Sequence, residues 1–87
     1  MESDANFALG MLALLGGDPH KAVEKFKAAT TTSISVPAQY FYRLGEAYSE
    51  MGQNAEAIEA FKKAAEVGKG TMMEQLAAQQ IAELSKK

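Results

Sequence analysis

The chain has 87 residues, 47% of them hydrophobic and 23% charged, with a net charge of −2 and no cysteine. That length allows one small domain, residues 1–87, with a modest core. A near-neutral balance gives no electrostatic case for nucleic acid, whose phosphates need clustered Lys and Arg, and the absence of thiols excludes disulfides and thiolate metal sites.

The first expected helix runs from about Ser3 to Leu15, with Ser3 or Asp4 as its cap and Gly16 and Gly17 as its end. It is apolar nearly all round (Phe7, Ala8, Leu9, Met11, Leu12, Ala13, Leu14 and Leu15), so it is covered on more than one side or exposes a sticky face. Its segment FALGMLALL could mimic a targeting signal. However, Glu2 and Asp4 make the flank acidic, no Ala-x-Ala site follows, and it is far shorter than a membrane span of roughly 20 residues. It therefore reads as a buried helix with no membrane insertion, and a cytoplasmic location is expected.

A second helix opens at Asp18-Pro19, where Asp18 is a good N-cap and Pro19 suits the first turn. Ala22, Val23, Phe26 and Ala29 form its apolar stripe, and Lys21, Glu24, Lys25 and Lys27 its solvated face. From Thr30 to Val36 consecutive β-branched and hydroxylated residues disfavour helix, and Pro37 pushes Val36 out of the α region, which places a link there. A third helix is expected from about Pro37 to Met51. A fourth follows from about Asn54 to Val67, with Asn54 as its cap, Gly68 as a left-handed stop and Glu59–Lys63 as a favourable i, i+4 pair. Thr71, Met72, Met73 and Glu74 then form a capping box for a fifth helix, Met72 to Ser85. Its apolar positions are Met73, Leu76, Ala77, Ile81 and Leu84, with Gln80 at the margin. Gln79, Glu83, Lys86 and Lys87 give it a polar exterior.

The chain is organised around YRLGEAYSEMGQNAEAIEAFKKAA, residues 42–65. Leu44, Gly45 and Tyr48 lie at helical spacing; Gly52, Gln53 and Asn54 interrupt; Ala57, Phe61 and Ala64 resume it. Gly45 and Ala57 leave room for two backbones to approach, with Phe61 and Tyr48 filling the space beside them. Thirty-five positions earlier stand Leu9, Gly10, Gly17, Ala22, Phe26 and Ala29, identical to Leu44, Gly45, Gly52, Ala57, Phe61 and Ala64. Glu24 and Lys27 match Glu59 and Lys62 as well. A repeated helix–turn–helix of about this length marks a helical solenoid.

These residues resemble the tetratricopeptide repeat family, in which an aromatic precedes Leu-Gly by three, Tyr follows Gly by three, and an Ala–Phe–Ala spacing marks the second helix. Phe41, Leu44, Gly45, Tyr48, Ala57, Phe61 and Ala64 fit that pattern. The resemblance implies an all-α, right-handed superhelical array of two helix–turn–helix repeats, about 3–36 and 37–70, plus a C-terminal capping helix, about 71–86. The spacing of 35 exceeds the family's usual 34 by one residue in the link.

No catalytic constellation is visible, and no cofactor is expected. His20, the one histidine, sits at a helix start with no ligand partners at suitable spacing, and reads as an exposed residue. Glu46 and Glu50 are an i, i+4 carboxylate pair better read as a solvated face than as an acid–base pair. Met11, Met51, Met72 and Met73 read as filler of core and cap.

The resemblance also implies a concave groove lined by the first helix of each repeat. The peptide-groove positions are then Phe7, Met11 and Leu14 in the first repeat and Gln39, Tyr42, Glu46 and Ser49 in the second. Asp4, Leu15, Glu50, Gln75 and Gln79 lie alongside. One sub-type of the family grips terminal carboxylates with Lys and Asn. Here Phe7, Met11, Tyr42 and Glu46 hold the matching places, so that clamp is absent. The expected function is a non-catalytic scaffold or adaptor that binds a partner peptide or helix with apolar anchors and a basic rim, Phe7 and Tyr42 being the anchors. Two alternatives stay open: a homo-oligomerisation module using the apolar face of the first helix, and a fragment of a longer repeat protein whose neighbouring chain covers that face.

Overall fold

The computed structural model describes residues 2–31 and 36–86. Five helices follow one another: α1 (Glu2–Leu15), α2 (Pro19–Thr31), α3 (Ala38–Glu50), α4 (Asn54–Val67) and α5 (Met72–Ser85). There is no strand among the described residues. Each helix packs mainly on its neighbours in sequence, α1 on α2, α2 on α3, α3 on α4 and α4 on α5, with lighter contacts from α1 to α3 and from α3 to α5. The fold is an all-α helical repeat.

The two hairpin turns are the same structure made twice. After α1, the Gly17 N–H donates to the Leu14 carbonyl and the Asp18 N–H to the Ala13 carbonyl, with Gly17 at φ 81°. After α3, the Gly52 N–H donates to Ser49 and the Gln53 N–H to Tyr48, with Gly52 at φ 76°. This paired closure satisfies carbonyls that the helix end leaves open and requires a residue tolerant of positive φ. The repeat in sequence thus becomes a repeat in hydrogen bonding.

Glycine also sets the packing inside each hairpin, though against a ring rather than a backbone. A Cβ built on Gly10 would stand 2.5 Å from the Phe26 ring, and one on Gly45 would stand 2.8 Å from the Phe61 ring. Each glycine is a notch in the first helix that seats the phenylalanine of the second. Phe26 and Phe61 are the largest fully buried side chains, and Ala22, Ala29, Ala57 and Ala64 are buried beside them. Full burial of one such aromatic stabilises by roughly 1.5–3 kcal/mol.

Between the hairpins, Leu44 and Ala47 of α3 lie in one cluster with Ala22 and Phe26 of α2 and Ala60 of α4. A second cluster joins Ala57, Phe61 and Ala64 to Ala77 and Leu84, so α5 covers the outer side of the second hairpin. A third, around Ala29, Val36 and Tyr40, takes in Phe7.

Several local expectations are corrected. Helix α1 begins at Glu2, so Asp4 is not its cap; its carboxylate accepts a hydrogen bond from the Tyr40 hydroxyl, tying α1 to α3. The Ser3 side chain lies outside the described residues. Helix α2 continues through Thr30 and Thr31, whose hydroxyls donate to the Lys27 carbonyl, Thr31 also approaching that of Ala28. The hydroxyls are thus satisfied within the helix itself, so these threonines are accommodated in its last turn. The rest of the expected link, Thr32 to Ser35, lies outside the described residues. Asn54 is the first residue of α4 and Gln53 stands at the cap with no side-chain bond, whereas Asp18 caps α2 as expected through the Lys21 N–H.

Gly68 is not a left-handed stop. Its φ is −94°, and the positive φ falls at Gly70. Gly68 is small because Ala38 and Met73 crowd it, an added Cβ standing 3.1 and 3.0 Å from theirs. The capping box is altered: the Thr71 hydroxyl accepts from the Met73 N–H, while Glu74 takes the Gly70 N–H instead of that of Thr71. Glu59 and Lys63 form no ion pair; the pair present among the described residues is Arg43–Glu46. Leu76, expected on the inner side of α5, is 39% exposed.

Candidate functional site

Three helices bring side chains to one cleft. Leu14 comes from the last turn of α1, Arg43, Glu46, Ser49 and Glu50 from one face of α3, and Gln80 from α5, over a floor reaching Phe61. The cavity holds about 330 Å³. On α3 the lining residues are spaced 43, 46, 49, 50, which the helical period places on one side. The opposite side of the same helix holds Leu44 and Ala47 in the core, and this fixes the rotation of α3 and keeps the carboxylates facing out.

The cleft is polar with an apolar edge. Arg43 Nη1 donates to Glu46 Oε1 at 2.7 Å, with both side chains about a third or more exposed. A pair so open to solvent contributes roughly 0–1 kcal/mol, so its separation costs little. Glu50, exposed on the same face one turn beyond Glu46, leaves the wall with two carboxylates against one guanidinium.

Of the expected groove residues, Leu14, Glu46 and Ser49 share this cleft with Glu50. Phe7 and Tyr42 are half-buried and packed within the fold. Phe7 stacks on Tyr40 at 4.1 Å between ring centroids and tilts against Phe26 at 5.5 Å. Tyr42 sets its ring edge-on to Phe61 at 5.2 Å, with Gln80 of α5 as a side-chain hydrogen-bond partner. Met11 packs on the first core cluster, and Gln39 is exposed away from the cleft lining. Arg43 and Gln80 join the lining without having been named as groove residues. The signal for Arg43 was present, since it lies three residues before Glu46 and four after Gln39. Gln80 carried only its marginal position on the last helix.

Two phenols are perturbed. The Tyr40 hydroxyl is pushed up from 10 by its hydrogen bond to Asp4, then by burial and by the charge of that carboxylate. The Tyr42 hydroxyl is also raised, chiefly by burial and then by Glu46, against the lowering effect of Gln80 and Arg43. Both stay protonated at neutral pH; Tyr40 donates to Asp4, whereas the Gln80 amide donates to the Tyr42 oxygen, which is why that contact lowers the Tyr42 pKa. Among the described residues no group of three or more His, Asp or Glu side chains is placed to hold a metal ion, and His20 is exposed. No helix among them is long and apolar enough to cross a membrane.

A second apolar cavity, about 310 Å³, lies on the outer side of α1 among Leu9, Leu12, Ala13, Gly16, Asp18 and Lys21. A third, about 270 Å³, is floored by Phe41, Leu44 and Tyr48 and rimmed by Glu56, Glu59 and Lys63 of α4.

Against known families, residues 38–67, which span α3, its turn and α4, match the tetratricopeptide repeat model. No curated protein matches the chain.

Proposed function

We propose a scaffold or adaptor role for this chain, whose second helical hairpin, residues 38–67, matches the tetratricopeptide repeat model; such repeats generally mediate protein–protein interaction and are typically non-catalytic. A partner segment is held in the cleft between α1, α3 and α5. The observation that carries this reading is the convergence of Leu14, Glu46, Ser49, Glu50 and Gln80 on one open cavity of about 330 Å³. The segment that fits has a basic side chain for Glu46 and Glu50 and an apolar neighbour for Leu14. Phe7 and Tyr42 act from behind, as the packing that holds α1 and α5 at their distances from α3. The cleft needs neither cofactor nor metal for this work.

Selection of a random peptide library on the immobilised chain tests the proposal. Enrichment of sequences pairing Lys or Arg with a nearby apolar residue is expected. A Glu46→Lys/Glu50→Lys chain should lose those peptides at least tenfold while keeping its helical circular dichroism, because both side chains sit on the solvent face. Enrichment of acidic peptides, or binding unchanged by the double reversal, would reject it.

A further inference from the structure

Helix α1 carries a stripe that the cleft does not use. Ala5, Ala8, Leu9, Leu12, Leu15 and Gly16 are all exposed, Leu12 at 68% and Leu15 at 80%. Positions 5, 8, 12 and 15 follow the alternating three–four spacing of a helix–helix seam, and none of the six residues is charged. The second hairpin shows what this face is built for. Leu44, the counterpart of Leu9, is 7% exposed because α2 lies across it, whereas Leu9 is 45% exposed. A continuous apolar stripe of this kind on an otherwise polar surface marks a contact.

We propose that the stripe pairs with the same stripe of a second copy of the chain, the two α1 helices running antiparallel about a two-fold axis near residue 10. A second copy cannot cover α1 the way α2 covers α3. That mode uses an Ala–Phe–Ala stripe, and both such stripes, Ala22–Phe26–Ala29 and Ala57–Phe61–Ala64, are fully buried within their own chain. The other large apolar residues in the open, Val67, Met72 and Leu76, are interrupted by Lys69, Glu74 and Gln75. Joining them to α1 would give a head-to-tail contact that does not close. The α1 face alone is self-complementary: its alanines and Gly16 admit the leucines of a partner helix.

Charge sets the direction. Asp4 marks one end of the exposed stripe. Lys21, exposed and lining the same cavity as Leu9 and Leu12, marks the other, with Asp18 beside it already accepting the Lys21 N–H as a helix cap. A parallel pair sets Asp4 against Asp4; the antiparallel pair sets Asp4 against Lys21 and opposes the helix dipoles. The interface is one helix wide, at the small end of specific interfaces, so the dimer is in reversible exchange with the monomer.

The absence of native cysteine makes the geometry directly testable in the full chain. In the antiparallel pair residue i faces roughly residue 20 − i. A mixture of Ala5→Cys and Leu15→Cys chains should therefore form a mixed disulfide several-fold faster than either forms its own. Sedimentation equilibrium should show a monomer–dimer equilibrium, and Leu12→Glu should weaken it at least tenfold with helicity retained. A monomer up to several hundred micromolar, an open-ended series of oligomers, or preferential self-cross-linking of each single variant would overturn the proposal. If Leu12→Glu loses its helicity, the cysteine pair, which leaves Leu12 in place, still decides.

Discussion

Gly45 illustrates how one absent methyl group organises a hairpin. Alanine is the better helix former by about 1 kcal/mol, so propensity alone favours Gly45→Ala. The new Cβ would meet the Phe61 ring at 2.8 Å, however, and Phe61 is fully enclosed and has nowhere to go. Overpacking of that kind costs about 1–3 kcal/mol, which outweighs the gain. Gly45→Ala is therefore expected to lower the melting temperature by several degrees, and Gly10→Ala to do the same through Phe26. A raised melting temperature in either would show that the ring does not occupy the notch. Tyr40 makes a second prediction at this scale. Its hydroxyl titrates above its unfolded value of 10, so the folded state holds its proton longer than the unfolded one. The stability it contributes is complete below pH 10 and is lost as pH rises through the folded value. Thermal melts between pH 8 and 11 should show this alkaline decline shrinking in Tyr40→Phe, leaving whatever part Tyr42 supplies.

At the scale of the element, the two hairpins differ at one functional cap. Asp18 accepts the Lys21 N–H at the start of α2, while Gln53, in the same place before α4, makes no such bond. Gln53→Asp should supply it and stabilise the chain by about 0.5–2 kcal/mol, read as a shift in the denaturation midpoint at constant slope. No change would mean that the entry to α4 differs from the entry to α2. The same comparison shows what the sequence could and could not disclose. The helices and their order were legible because the apolar period is strong and Gly17 and Gly52 repeat at equal distance from their helices. The ends were less so. Thr30 and Thr31 look like helix breakers, yet their hydroxyls bond back to α2; Asn54 looks like a cap, yet it lies inside α4. Leu9 carries the same signature as Leu44, and only tertiary placement separates an open position from a buried one.

The cleft was half legible for a similar reason. Glu46 and Ser49 follow from the face of α3 opposite Leu44, which periodicity reveals. Phe7 and Tyr42 read as anchors from their size alone, but large rings on a half-exposed face are as useful to neighbouring helices as to a partner. Here Tyr40, Phe26 and Phe61 occupy them. Gln80 reaches the cleft across three intervening elements from α1, a placement set by how α5 settles on α4.

On the scale of the whole molecule, contacts run from each helix to the next, with few between distant elements. Stability in such an array is close to a sum of neighbour interfaces. The interior helices α2, α3 and α4, packed on both sides, should show the slowest amide exchange, with α1 and α5 exchanging faster from the two ends. Uniform protection across all five would contradict that one-dimensional picture. The same arrangement gives the cleft its character. Its walls belong to three different helices whose spacing is set by Phe26, Phe61 and the aromatic contacts behind them, so the surface offered to the proposed partner is already formed in the chain alone. Amide chemical-shift mapping with a selected basic peptide tests this most directly. Saturable shifts should centre on Leu14, Arg43, Glu46, Ser49, Glu50 and Gln80. Shifts centred instead on Phe41, Glu56, Glu59 and Lys63, across the opposite face of the second hairpin, would contradict it.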